Sequence, residues 1–234
     1  MFGTYDYTFQ FENEVILAKI EKKNGFFQYT RICNGSKEEK ILASDSGRII
    51  VNPVEPINLP EEVGRHLMIE FDPIVVEPHT SKKIYLTFPI EIGVFVEAKR
   101  EIEVLDIFSA VDQKYTLYGS PDGGVIARWH PSGVFAEIPK TYPLKEGVLE
   151  LGIRNTCRDW VEVSRVVFES VDMKIYYGNI VGMVAVMKIL NKHTAEMDFL
   201  DQPLMDGMKK SIELYTARKI PAIQKGYLME WGLN

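Results

Sequence analysis

The sequence is short of the residues that usually announce a chemistry. Its two cysteines, Cys33 and Cys157, cannot build a disulfide framework, and neither stands in a Cys-x-x-Cys pair or a Cys/His cluster, so both are expected to be buried, inert thiols. The four histidines, His66, His79, His130 and His193, lie far apart and never at His-x-x-x-His or Cys-x-x-His spacing, and no metal site is expected. There is no P-loop, no dinucleotide fingerprint and no Gly-x-Ser-x-Gly elbow, so no cofactor is expected either. Carboxylates are too numerous for any pair to stand out as a glycosidase dyad. The acidic group Glu196, Asp198, Asp201 and Asp206 lacks the glycine and ligand order of a calcium loop and reads as a solvated face.

Long apolar runs are missing too. The longest, Ile180 to Leu190, is broken by Gly182 and Lys188. It falls well short of the roughly 20 residues a spanning helix needs, so a buried strand is expected and no membrane span. Positive charge is in deficit: 27 basic against 33 acidic side chains leave a net charge of −6. That balance works against nonspecific attraction to nucleic acid or anionic lipid, and no nucleic-acid partner is expected.

What the chain does have is strand patterning. Ile84, Leu86, Phe88, Ile90, Ile92, Val94 and Val96 occupy successive even positions, with Lys83, Tyr85, Thr87, Glu91 and Glu97 on the odd side. In a helix a step of two residues turns by roughly 200° and would scatter these side chains, whereas a strand puts them on one face. Pro89 and Gly93 inside this stretch predict a bend, bulge or edge position that lets it pass between two sheets. The same alternation opens the chain at Tyr5, Tyr7, Phe9 and Phe11. Asp6 and Glu12 deny that stretch the basic start and apolar core of a secretory signal, which predicts an unprocessed, cytoplasmic chain.

From Tyr5 to Val51, apolar runs alternate with turn signals, including Asn24-Gly25 and Asn34-Gly35, and this spacing describes a β-meander. Pro53, Pro56 and Pro60 then make the best candidate boundary, giving a meander over 1–60 and a β-sandwich over 61–234, or one continuous domain. Strands are predicted at His66 to Phe71, Ile74 to Val76, Lys114 to Tyr118, Val125 to Trp129, Val148 to Ile153, Trp160 to Phe168 and Lys174 to Tyr177. Glu101 to Val111 leans towards strand. Leu149, Leu151 and Ile153 are answered by Val161, Val163 and Val167 across the turn Asn155 to Asp159, and Arg165 interrupts that face as a rim residue or a bulge. Gly207 to Lys219 reads as the one helix, with Asp206 as N-cap, and Tyr227 to Trp231 as a final strand. The fold class is therefore all-β, a two-sheet β-sandwich with an N-terminal meander and one short C-terminal helix.

Candidate site residues are sparse. Gly119 to Gly124 could offer backbone amides to a phosphate, but no helix follows, and a hairpin turn is expected. Arg128, Trp129 and His130 place a cation, an aromatic plate and an imidazole at one strand end. They could hold an anionic or sugar-like ligand, with Tyr118 or Trp129 stacking. The plainer reading of the alternation buries Trp129 and leaves Arg128 and His130 solvated. Lys209, Lys210, Arg218, Lys219 and Lys225 concentrate positive charge near the end of an acidic chain, as an anion site, a docking patch or a solvated face. Two functions follow. One is a noncatalytic binding or interaction protein engaging a protein partner or a second copy through a strand edge or the basic C-terminal segment. The other is a small-anion or carbohydrate site, or a hydrolase, using Tyr118, Arg128, Trp129, His130, Lys209, Lys210 and Arg218.

Three stretches, LYGSPDGGVIARW (117–129), LELGIRNTCRDWVEVSRVVF (149–168) and the C-terminal MKKSIELYTARK with YLMEWGL, resemble an uncharacterised archaeal protein family, one of the domains of unknown function. The resemblance covers most of the chain. It implies an archaeal, cytosolic source and brings no site residue with it.

Overall fold

In the computed structural model, residues 1–44, 46–99, 101–218 and 227–233 are described. β1 (Gly3–Tyr5) and β2 (Gln10–Glu12) are followed by β3 (Ile16–Lys23), β4 (Phe26–Cys33) and β5 (Ser36–Leu42). The turns between these last three place Asn24, Gly25, Asn34 and Gly35 at φ of 52°, 87°, 49° and 75°. Tight hairpin turns require this left-handed backbone, and Asn-Gly adopts it most readily. Next come β6 (Arg48–Val54), β7 (His66–Val76), β8 (Ser81–Pro89), β9 (Glu91–Ala98), β10 (Glu101–Phe108), β11 (Lys114–Tyr118) and β12 (Val125–Pro131). The chain continues through β13 (Glu146–Asn155), β14 (Val161–Glu169), β15 (Tyr176–Tyr177), β16 (Val181–Asn191), β17 (Thr194–Leu200), β18 (Lys209–Lys210), α1 (Leu214–Ala217) and β19 (Tyr227–Met229).

The fold is all-β; of the meander expected over 1–60, β2-β3-β4-β5 form one four-stranded sheet, while β1 and β6 belong to another. The sheets form two packed pairs, where the sequence predicts a single two-sheet sandwich carrying the meander. In the first pair the meander lies on β1-β6-β9-β10, around Ile16, Ala18, Tyr29, Ile49, Val51, Ile92 and Val94. In the second, β11-β12-β7-β14 faces a seven-stranded sheet, β18-β15-β16-β13-β8 with β17 and β19 added beside β16. Its core includes Leu86, Phe88, Ile90, Leu149, Leu151, Val163, Val167 and Met187.

The long alternating stretch supplies both cores. β8 pairs with β13 in the second sheet pair, and β9 pairs with β6 and β10 in the first. Pro89 has no N–H to give a ladder, and the sheet identity changes there. The even-numbered stripe therefore serves the second core up to Ile90 and the first core from Ile92. Gly93 is demanded by packing, because a Cβ at that position would lie 2.8 Å from Val54 and 2.7 Å from the Phe95 ring. β9 and β10 join β6, which precedes Pro56 and Pro60, so this sheet draws on both sides of the proline-rich stretch.

Three local expectations need correction. β13 and β14 are not hairpin partners: β13 pairs with β8 and β16, β14 pairs with β7, and their apolar residues meet across the core. Arg165 does sit at a bulge, the register shifting between Val163 and Arg165. The strand expected from Lys174 is confined to Tyr176–Tyr177. The helix is four residues, Leu214–Ala217, where Gly207 to Lys219 was expected. The reason is competition for its backbone. Lys209 and Lys210 pair with β15, the Ile212 N–H donates to Asn52 Oδ1 (3.0 Å), and the Leu214 N–H donates to the Glu55 carboxylate (2.9 Å). Lys219 and Lys225 lie outside the described residues.

Glu55 is 1% exposed beneath this C-terminal segment. Burial pushes its pKa up to about 8, against the opposing Leu214 N–H and with Glu213 adding to the rise. A carboxyl held above its ordinary value contributes stability that is full in acid and is lost as pH rises through the folded-state value. Urea unfolding midpoints should therefore fall between pH 5 and about 8. In Glu55→Gln this component should vanish, leaving a flatter profile.

A candidate ligand cleft at the seam of the two sheet pairs

The strands that connect the sheet pairs, β8 into β9 and β10 into β11, leave a cleft of about 280 Å³ between them. Lys114, Arg128, Trp129, His130, Tyr142, Lys145 and Glu146 are among the residues that line it. Three of the seven residues singled out from the sequence, Arg128, Trp129 and His130, thus meet at one place.

Their exposures invert the plain alternation. Arg128 is only 1% exposed, while Trp129 and His130 are half-buried. β12 is covered by neighbouring elements on the face that an isolated hairpin would leave open, and Glu91 makes that burial tolerable. Arg128 Nη1 donates to Glu91 Oε1 at 2.9 Å, and Glu91 is itself 0% exposed. The same oxygen accepts from Gln113 Nε2 (2.8 Å), and Oε2 accepts from the Asn58 N–H (3.2 Å). Burial pushes the Glu91 carboxyl up and the Arg128 guanidinium down, and each charge opposes the other's shift. Arg128 therefore forms the wall of the cleft and spends its charge on Glu91.

The free cations are lysines. Lys114 Nζ stands 5.6 Å from the Trp129 ring centroid, and Lys145 Nζ 5.5 Å from that of Tyr142. An ammonium over an aromatic face is attracted by the ring quadrupole, so each ring steadies its lysine at the cleft. Trp129 is fixed in turn, its Nε1–H donating to Glu70 Oε2 at 2.7 Å. His130 Nε2 lies 2.9 Å from Thr87 Oγ1. Burial, then the Arg128 and Lys114 charges, pushes its pKa down to about 4. The imidazole is neutral at pH 7. Burial also raises the Glu146 carboxyl, against a hydrogen bond from Thr87.

The other sequence candidates lie elsewhere. Tyr118 Oη accepts the Glu230 and Trp231 N–H groups at 3.2 and 3.3 Å, which ties the end of the described chain to β11. Lys210 is held by Asp201 (2.7 Å) and Glu213 (3.2 Å), and Lys209 is exposed beside it on β18. Arg218 Nη2 donates to Asn58 Oδ1 at 2.9 Å, reaching the back of the Glu91 network but not the cleft lining. Sequence reasoning missed Lys114, Asp112, Glu91, Thr87, Tyr142, Lys145 and Glu146. Glu91 shares the polar side of its strand with Glu97, which is half-buried against Arg48, and no pattern distinguishes the two. Among the described residues no group of three or more His, Cys, Asp or Glu is placed to hold a metal ion, and no helix is long and apolar enough to cross a membrane.

Fold and site together define an all-β protein of two packed sheet pairs with a cleft of lysine, carboxylate and aromatic side chains at their seam. The chain belongs to the family described as "Protein of unknown function (DUF432)", whose model matches residues 1–230. No curated protein and no solved structure matches it significantly.

Removing one partner of a buried ion pair strands the other charge, at about 3–5 kcal/mol. Arg128→Met should lose stability of that order in denaturant unfolding, and Arg128→Met with Glu91→Leu should recover most of it. His130 gives a separate signature. An imidazole held below its ordinary 6.5 contributes stability that is full above that value and lost as pH falls through about 4. His130→Gln should flatten the acid side of the stability profile over that window.

Proposed function

We propose that this protein is a noncatalytic binding protein that takes a small anionic ligand in the seam cleft. The observation that carries the reading is the pair of ring-supported lysines, Lys114 on Trp129 and Lys145 on Tyr142, lining one cleft beside a neutral imidazole. Steadied ammonium groups lose less freedom on binding than mobile ones, which favours a small anion. A hydrolytic role is less well supported. General acid–base catalysis is most effective when the pKa lies near the operating pH, and the His130 imidazole is held well below it. Docking through the C-terminal lysines is also less well supported, because Asp201 and Glu213 already neutralise Lys210. We further read the chain as cytoplasmic, in keeping with two cysteines that both remain free thiols.

A ligand that binds only the folded state raises its apparent stability. In thermal unfolding against phosphate, sulfate, citrate and malate, at least one anion should raise the midpoint saturably. The shift should disappear in the Lys114→Ala, Lys145→Ala double variant. If none of these anions shifts the wild-type midpoint, the reading is wrong.

A further inference from the structure

The cleft does not suit every anion equally, and the imbalance in its lining points to one chemical class. Resting on the anion-binding reading above, we propose that the ligand is a monophosphorylated sugar or polyol, gripped at its phosphate by Lys114 and Lys145 and at its hydroxyls by Glu146 and Asp112.

Charge distribution carries the first step. Lys114 and Lys145 come from different elements, the start of β11 and the loop before β13, yet line the same cleft. Asp112 and Glu146 line it too. Arg128, the remaining cation of the lining, is committed to Glu91 at 2.9 Å. An extended polyanion such as a nucleoside triphosphate or a tricarboxylate would bring some of its charge against the two carboxylates. A ligand with one compact dianionic end and a neutral body does not.

Hydrogen-bonding capacity carries the second step. Carboxylates only accept, so Asp112 and Glu146 call for donors on the ligand, and hydroxyl groups supply them without adding positive charge. His130 is neutral and hydrogen-bonded to Thr87, so it too can exchange a hydrogen bond with a hydroxyl without repelling or capturing charge. Trp129 and Tyr142 add flat apolar walls, and Pro89 and Pro131 rigid ones, against which the C–H faces of a sugar ring pack. At about 280 Å³ the cleft lies at the small end of ligand sites, right for one ring and a phosphate.

The test is calorimetric titration of the full chain with glucose 6-phosphate, ribose 5-phosphate, glycerol 3-phosphate, glucose and inorganic phosphate. At least one of the three phosphorylated compounds should bind about tenfold or more tighter than both inorganic phosphate and glucose. A lost hydrogen bond to a charged group is worth about that factor. Glu146→Gln should collapse the ratio between that compound and inorganic phosphate. Should inorganic phosphate bind as tightly as every phosphorylated compound, with the ratio unmoved in Glu146→Gln, the polyol assignment is overturned while the anion site stands. If neither inorganic phosphate nor any phosphorylated compound binds, while sulfate, citrate or malate shifts the thermal midpoint, the assignment falls alone. If nothing binds in either experiment, both fall.

Discussion

The structure turns on one buried ion pair. Glu91 is the first residue of β9, immediately after the chain has left one sheet pair for the other, and Arg128 reaches it from β12 on the far side of that seam. Neither charge is open to bulk solvent, since both residues are at most 1% exposed. Arg128 depends on Glu91, and Glu91 on Arg128, Gln113 and the Asn58 N–H, for solvation. A buried pair of this kind is weak evidence for net stability, because desolvation offsets much of the attraction. Its demand for partners is strict all the same, and that demand fixes β8, β9, β12 and the segment around Asn58 relative to one another. The cleft is the space this fixed arrangement leaves.

The same strictness explains why a small chain segment can hold the two halves together. Asn52, Glu55 and Asn58 present polar groups from the first sheet pair, and Ile212, Leu214 and Arg218 supply the donors. Leu214 fills an apolar patch beside Val54 and Phe95 at the same time. Asn52 Oδ1 and the Glu55 carboxyl are buried, and each left unpaired would cost more than the bond itself contributes, so the segment is held by what its departure would leave behind. Through Asn58, this segment and the cleft wall share one hydrogen-bonded network.

Much of the fold was legible because it is written in local terms. A proline inside a perfect alternation marked where the strand changes sheets, and two Asn-Gly pairs marked the meander's turns. Arg165, polar among valines, marked a bulge. The helix was misread because its apolar spacing is real, while the backbone donors that would extend it are claimed by Asn52 and Glu55, more than 150 residues away. The β13–β14 connection was misread for a related reason: facing residues across a turn look alike whether the strands pair or pack.

The site was legible only in part. Arg128, Trp129 and His130 are adjacent, so any reading that noticed one noticed all three. Glu91, Tyr142 and Lys145 arrive from other elements, and a carboxylate on the polar side of a strand carries no mark of the arginine it will meet. Alternation even predicted the wrong exposures, because it describes a strand with one open face, and both faces of β12 are covered at this point. The chain's three tryptophans offer the most direct test of the account. In a titration with the anion that raises the thermal midpoint most, followed by the indole N–H resonances, Trp129 should move saturably. Trp160 and Trp231, both more than half exposed and outside the cleft lining, should stay still. A Trp129 signal that does not move, or three that move together, would contradict the account.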